Sequence, residues 1–568
     1  MPPNAAEAAP EAVREAVLKV WTRLPLKKRP KIGEFTVLAG IAARVDSNNY
    51  QVLALGAGTR CQGHSLRSST GSTLHDSHAE VLCRRAFLRW LYSELAWALL
   101  FDLDTNNTAR RSRPASVSTP NDTPWFCWEP QHARFHLRPG RTLDLHMFVS
   151  QPPCGDAAII IDHDHDDVDD VDGVMNDGHL SSSARTGAKP LARHRATTQG
   201  GGGNSDARGG TAPAPAAAAA AALPSASDVE SSEAPQKRGV TRRKPGKGIP
   251  TLSMSCSDKL AKWNVLGLQG CLLSSLLAEP IYLRAVIASL PFSCVEKGQE
   301  AAGCVALQRA LVDRIHHCLK LRTRNTGRDP PLPLQLFVRP PEPQGDTNQL
   351  SSSAGEEEQK RGGGQEEEEE EEHDDDDDDK EGSEPRRRQP SPSGLHWFVG
   401  TKIPGGSTEL DTIVEDLSRH GHVWAEEVAK RISREPVWEA SVGATGRKEG
   451  VTSKDTSVRG CPAISRRRLL LHYIPLKAAV QWLAQEQGEE RAKKKFCPDV
   501  RNEISGKSYE DVKSKILQAT YRQLKQDDLG CRTYVDKWRA MQETLPMSDW
   551  IAKPPELEDF TGHAVGIE

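Results

Sequence analysis

Long stretches of this chain are too polar to pack, and they limit what the remainder can fold into. Residues 162–177 hold eight Asp and no Lys or Arg, and 178–248 are dominated by Ser, Gly, Ala, Arg and Pro. A third tract, 341–395, is built around Glu366–Glu372 and Asp374–Asp379. Such compositions bury too little apolar surface to offset chain entropy, so 162–248 and 341–395 are expected to be disordered insertions. Residues 101–142 read as a further loop insertion. What is left of the 568 residues, about 390, suffices for one large domain or two tightly joined ones.

The same tracts distort the charge. Residues 356–384 carry 18 acidic and 3 basic side chains; with these and the eight Asp of 162–177 set aside, a formal −4 becomes +19. The packing part is therefore basic. That favours a polyanionic partner, although a charge surplus alone is more often solvated surface than a binding site. Lys237–Lys247 holds enough basic residues for a nuclear signal, or for contact with RNA.

Twelve Cys lie scattered through a chain with no basic-then-apolar opening segment. A secreted disulfide framework is not expected, and an intracellular place, cytoplasm or nucleus, is. The most apolar stretch, Val265–Leu290, is interrupted by Gln269, Glu279-Pro280 and Arg284, so it reads as a buried helix followed by another element and not as a membrane span.

Apolar residues near helical spacing predict a helix over Glu11–Leu24, stopped by Lys27-Lys28-Arg29-Pro30. Thr36–Val45 and Tyr50–Gly56, separated by Asp46-Ser47-Asn48-Asn49, predict a hairpin. From Asp76 the pattern turns helical, with Val81, Leu82, Phe87, Leu88, Leu91 and Leu95 on one stripe and Asp76 or Ser77 as N-cap. Leu143–Val149 and the shorter Thr251–Met254 read as strands running into Cys154 and Cys256, and Ser508–Gln526 as a helix. The class is α/β, its connections enlarged by insertions that cost only about 0.6 kcal/mol per doubling of loop length.

The chemistry begins at His78-Ala79-Glu80. Zinc deaminases pair a His ligand with a Glu that never touches the metal, and at a helix start both side chains can converge beyond the open first turn. Alone, the tripeptide is first of all a helix start with an ordinary acidic residue in its first turn. Cys154 and Cys256, taken singly, are more often small buried hydrophobes than ligands. Together, one His and two Cys leave zinc's fourth tetrahedral position open, as in a catalytic site. The usual deaminase signature has its cysteines in a tight C-x-x-C, whereas these two lie far apart.

That wide split points to a narrower family. Leu74-His75-Asp76-Ser77-His78-Ala79-Glu80-Val81 with Arg84-Arg85, Pro153-Cys154-Gly155-Asp156-Ala157, and Met254-Ser255-Cys256-Ser257-Asp258-Lys259 with Trp263-Asn264-Val265 and Gln269-Gly270 resemble the three zinc motifs of the RNA adenosine deaminases that include the ADAR editing enzymes. Gly56–Cys61 and Arg185-Thr186-Gly187-Ala188-Lys189 add agreement. The resemblance implies a single deaminase domain over residues 11–560, with a cytidine-deaminase-like three-layer core of mixed sheet flanked by helices.

It further implies zinc on His78, Cys154 and Cys256, with Glu80 as the catalytic proton carrier, and substrate contacts from Thr59 and Arg60. Relatives bury inositol hexakisphosphate. Here its ligands would be Arg84, Arg85, Lys259, Lys262, Trp263, Gln269, Lys515, Tyr521, Lys525, Trp550 and Lys553, linked to the zinc by an Asp76–Lys189 relay. The chain departs from the family's letters at His75, Lys262, Arg447 and Cys271. A double-stranded-RNA-binding domain is not found in the sequence, which favours the tRNA-acting branch and A37 of alanine tRNA, in the anticodon loop, as substrate. No membrane and no obligate protein partner are expected. The alternatives are an ADAR-like editor of structured mRNA, a free-nucleoside deaminase and a non-catalytic zinc-stabilised RNA-binding protein.

Overall fold

The expected N-terminal helix is α1 (Ala5–Trp21), and the expected hairpin pairs β1 (Leu38–Arg44) antiparallel with β2 (Tyr50–Ala57). Next come the short β3 (Thr59–Cys61) and β4 (Asp76–His78), the long α2 (Ala79–Thr108), a hairpin of β5 (Phe126–Glu129) and β6 (Arg134–Leu137), and β7 (Leu145–Val149). After these follow α3 (Cys256–Leu266), β8 (Leu283–Ser289), α4 (Glu300–Leu311), β9 (Gln335–Arg339), β10 (Ser393–Phe398), α5 (Gly406–Arg419) and β11 (Val437–Val442). The chain closes with α6 (Arg466–Lys495), α7 (Tyr509–Gln518), α8 (Tyr521–Asp527) and α9 (Leu529–Gln542). This computed structural model describes residues 5–108, 123–160, 189–190, 237–340, 389–495 and 508–563, apart from 48–49, 246–248, 323–331, 405, 453–454, 456 and 528.

Seven strands form one mixed sheet in the order β9-β8-β7-β1-β2-β10-β11, parallel among β7, β8 and β9 and antiparallel elsewhere. Near-continuous apolar runs are what a sheet covered on both faces requires. On one face Leu38, Ala42, Val52, Leu55, Phe148 and Ile287 pack under Val13, Val17 and Trp21 of α1. On the other, Ala39, Ile41, Leu53, Ala54, Met147 and Val286 pack with α2. Helices therefore flank the sheet on both sides. A Cβ at Gly40 would collide with Val17, so α1 lies this close only because the strand offers no side chain there.

α2 is enclosed rather than amphipathic. Leu82, Cys83, Ala86, Phe87, Leu91, Leu95 and Leu99 are each 0% exposed, as befits a helix with the sheet on one side and α5 and α6 on the other. Each large side chain so buried contributes about 1.5–3 kcal/mol.

Several expectations need correcting. Asp76 and Ser77 are not caps; they belong to β4, which pairs with β3. Residues 101–142 are not a plain loop: α2 runs on to Thr108, and the β5–β6 hairpin buries Phe126, Trp128 and Phe135. Asp102 of α2 pins that hairpin by accepting from Trp128 N at 2.7 Å and Arg138 Nη2 at 2.6 Å. The 162–248 boundary overshoots, since 237–245 is described and the 242–243 pair forms a small ladder with 189–190. The 341–395 boundary overshoots too: Gln389–Pro390 pairs with Glu34–Phe35, and β10 begins at Ser393. The rest of both tracts lies outside the described residues.

Thr251–Met254 forms no strand, only a bridge from Met254 to Arg243. Val265–Leu290 is the end of α3, a four-residue helix at Gly270–Leu273 and β8. The helix expected over Ser508–Gln526 is two, α7 and α8; a capping box between Ser508 and Asp511 starts the first. Among the described residues no helix is long and apolar enough to cross a membrane.

Candidate active site and metal centre

Two strand ends and two helix starts meet at one place. β2 passes the N-terminus of α2 at Gly56, where a Cβ would collide with Ala79 O and Cys83 N. The β3–β4 ladder sets Thr59 opposite His78, immediately before α2, and Glu80 falls in the first turn. β7 leads into Cys154, and Gly155 follows at φ +107°, a conformation that favours glycine. Ser255 caps α3, its hydroxyl accepting from Asp258 N at 3.2 Å, so Cys256 is the first helical residue.

The turns are stitched together. Ser257 Oγ donates to Cys154 O at 3.0 Å, and Cys256 N donates to Cys154 Sγ at 3.3 Å. His78 Nδ1 lies 3.8 Å from Cys154 Sγ, and the donor atoms of His78, Cys154 and Cys256 all fall within 4.8 Å of one another. Among the described residues this is the one such group. A tetrahedral zinc with bonds of about 2.0–2.3 Å needs ligand atoms roughly 3.3–3.8 Å apart, so this donor set fits the ion. Glu80 is 2% exposed, with Oε2 3.1 Å from Cys256 Sγ. Burial raises its pKa, and the neighbouring Cys154 adds to the rise.

Asp76 supports the centre from behind, but its partners differ from those expected. Lys244 Nζ reaches its carboxylate at 2.9 and 3.1 Å and Cys256 Sγ at 3.1 Å, and Lys259 binds the same carboxylate. Lys189, expected in this relay, instead lies in the two-residue strand opposite Arg243. Burial opposes the charge of Lys244, yet Asp76, Cys256 and Cys154 outweigh it and hold its pKa above the usual lysine value. Asp76 mirrors this: burial would raise it, and Lys244 and Lys259 keep it well below the ordinary carboxylate range. Lys244 and the neighbouring Arg242 are 1% and 0% exposed, so the basic run at 237–247 does not offer these two side chains as a nuclear signal or an RNA contact.

A second group of cations gathers beneath the first turns of α2. Arg84 stacks on Trp263, with 4.9 Å to the ring centre, and Lys262 sits 3.3 Å from the Trp538 ring and 4.9 Å from that of Trp550. Lys525 lies over Tyr521 and pairs with Glu558. Arg84 Nε, Arg85 Nη2 and both ring nitrogens of His75 are buried with no hydrogen-bond partner among the described residues. The group repels itself: Arg466 and then burial push the pKa of Lys553 down, while burial followed by Lys525 and Arg84 does the same to Lys262. Glu558 is held at about 2; burial opposes this, and Lys525, Lys553 and Arg466 overcome it.

Three residues of the expected ligand set stand apart from this cluster. Lys515 is exposed on α7. Gln269 commits its amide to Leu266 O, Ser274 Oγ and Ile281 N. Lys259 is engaged by Asp76. Sequence reasoning missed Arg466 and Glu558; the Arg466-Arg467-Arg468 run at the start of a buried helix was the available signal. Of the two expected substrate contacts, Thr59 has a buried hydroxyl without a partner among the described residues, while Arg60 donates to Ser391 O at 3.1 Å and Pro390 O at 2.8 Å.

A histidine and two cysteines converging beside a buried glutamate, at the edge of a helix-covered mixed sheet, is the arrangement of zinc nucleobase deaminases. Residues 54–373 match the adenosine-deaminase (editase) domain, and the chain belongs to that family. It is 26% identical to tRNA-specific adenosine deaminase 1 of Drosophila melanogaster over 550 residues, 96% of each protein. It is 30% identical to the Mus musculus protein of that name over 365 residues, covering 53% of this chain and 67% of the relative. To the double-stranded RNA-specific editase Adar of Drosophila melanogaster the identity is 31% over 254 residues, 44% of this chain and 29% of that protein.

Proposed function

We propose that this chain hydrolyses adenosine to inosine in tRNA, at A37 of alanine tRNA, using zinc held by His78, Cys154 and Cys256 in a cytidine-deaminase-like core. The observation that carries the reading is the convergence of those three donors with Glu80 at 3.1 Å from Cys256 Sγ. tRNA is favoured because the relatives named for it align over most of the chain, whereas the duplex-specific editase covers under half.

When bound, zinc supplies the Lewis acidity that makes water a nucleophile at neutral pH. Glu80 moves the protons. Its raised pKa suits a group that takes a proton from the attacking water, delivers it to N1 of adenine and then supplies one to the departing nitrogen. The water oxygen bonds to C6, the C6–N6 bond breaks and ammonia leaves. Thr59, beside His78, lines the approach of the base, and an anticodon-loop adenosine is already unpaired, so it enters at low cost.

The cation cluster around Arg84, Arg85, Lys262, Lys525, Lys553 and Arg466 is read as the seat of a buried polyanion, inositol hexakisphosphate. Unpartnered guanidinium and imidazole nitrogens, and lysines pushed towards neutrality by one another, are the mark of a missing counter-charge. Asp76 and Lys259 stand between that seat and the metal ligands.

The deciding experiment incubates purified chain with alanine tRNA and, separately, with duplex RNA, then sequences both for inosine. Inosine at A37 alone supports the proposal. Editing of the duplex and not the tRNA transfers the function to an mRNA editor, and zinc-loaded protein that modifies neither reduces it to an RNA-binding module.

A further inference from the structure

Each metal-ligating cysteine is followed two places on by an aspartate, in Cys154-Gly155-Asp156 and Cys256-Ser257-Asp258. Both carboxylates are buried, at 0% and 1% exposure, and neither joins the converging donors. Asp156 accepts from Arg309 Nε at 3.1 Å and Gly239 N at 2.8 Å, while Arg309 Nη2 donates to the carbonyls of Asp156 and Ile159 at 2.8 and 2.9 Å. Asp258 Oδ1 pairs with Arg314 Nη1 at 2.8 Å. Its Oδ2 accepts from Ser255 Oγ at 2.6 Å and Arg242 N at 2.9 Å. Arg314 is fixed in turn, donating through Nε to Ala310 O at 2.6 Å and through Nη1 to Val240 O at 3.2 Å.

The two arginines belong to one rigid piece of chain. Arg309 lies in the last turn of α4, and Arg314 in the 3-10 turn that follows it. In a C-x-x-C the backbone itself fixes the distance between sulfurs. Here 102 positions separate the cysteines, and nothing in the local chain can do so.

We propose that Arg309 and Arg314 are positioning residues: by gripping the aspartate at the same offset from each cysteine, one helix end holds Cys154 and Cys256 at the separation the metal requires. This rests on the zinc reading above. Fork-shaped guanidinium groups suit the task, since each fixes direction as well as distance, which a lysine does not.

The test uses the full chain with Arg309→Lys, Arg314→Lys or Asp156→Asn, and Arg539→Lys on the exposed side of α9 as control. Folding is checked by circular dichroism, zinc retention by competition with a chelator, and ligand geometry by the visible absorption of cobalt-loaded protein. Folded variants should lose zinc 10- to 100-fold more readily, show altered cobalt bands, and fall in kcat with KM for tRNA unchanged. The asparagine variant, close in shape to aspartate, carries the test if a lysine variant misfolds. Folded variants with wild-type chelator resistance and wild-type cobalt bands overturn the positioning role. A wild-type chain that takes up neither zinc nor cobalt overturns the metal reading itself.

Discussion

At the scale of single residues, Glu80 and Lys244 separate catalysis from construction. Glu80→Gln keeps the side chain's shape beside Cys256 but removes the proton carrier. The variant should hold zinc stoichiometrically and lose about 10²- to 10⁴-fold in kcat, measured by metal analysis and inosine formation on the same preparation; near-normal turnover would refute the role. Lys244→Met should instead weaken zinc retention, by about 10- to 100-fold, because it strips a donor from both Asp76 and Cys256. Lys189→Met serves as the contrast, and equal damage from both would reinstate Lys189 in the relay. His78, Cys154 and Cys256 were legible in the sequence because each sits in a short stretch whose chemistry is local. The relay lysine was not: Lys244 is buried only because Asp76, 168 positions away, neutralises it, and no window of sequence contains that pair.

Among the elements, α2 carries an unused acid. Glu94 is 4% exposed and accepts from Trp125 N at 2.7 Å, and burial raises its pKa to about 7 against the pull of that bond, Arg141 and Arg138. An acid whose pKa is higher in the folded state leaves the fold at full stability below its unfolded pKa, about 4.5. Stability is then lost as pH rises through about 7, by on the order of 3 kcal/mol at most. Glu94→Gln should thus unfold at higher urea than wild type at pH 8, with the gap closing towards pH 5. A gap independent of pH would show that Glu94 stays ionised in the fold. The β5–β6 hairpin beside it was taken for loop, although Trp125-Phe126-Cys127-Trp128 and Phe135 already announced buried aromatics; the cue was diluted by the polar residues on either side. Lys515 shows the opposite lapse. Val512 and Ile516 face inward on α7, so helical spacing alone turns Lys515 to solvent.

For the molecule as a whole, the sheet, α1 and α2 were readable because their apolar patterns are long and regular, while the insertion boundaries were not. At 237–245 and 389–395, polar composition conceals residues that the fold buries through pairing: Arg242 against the Asp258 loop, Lys244 against Asp76, Gln389–Pro390 against β-strand backbone. The cation cluster makes a prediction at this scale. Protein stripped of its polyanion by denaturation should release inositol phosphate, refold poorly, and regain its unfolding temperature when inositol hexakisphosphate is returned. Release of no phosphate from stable, active protein would dismiss the ligand. That cluster is also assembled from both ends of the domain: Arg84 and Arg85 lie near the start of α2, and Trp550, Lys553 and Glu558 arrive with the final residues. A nonsense codon placed after Trp538 would spare every metal ligand, yet it would leave the early arginines facing a gap, so such an allele should behave genetically like loss of the whole gene.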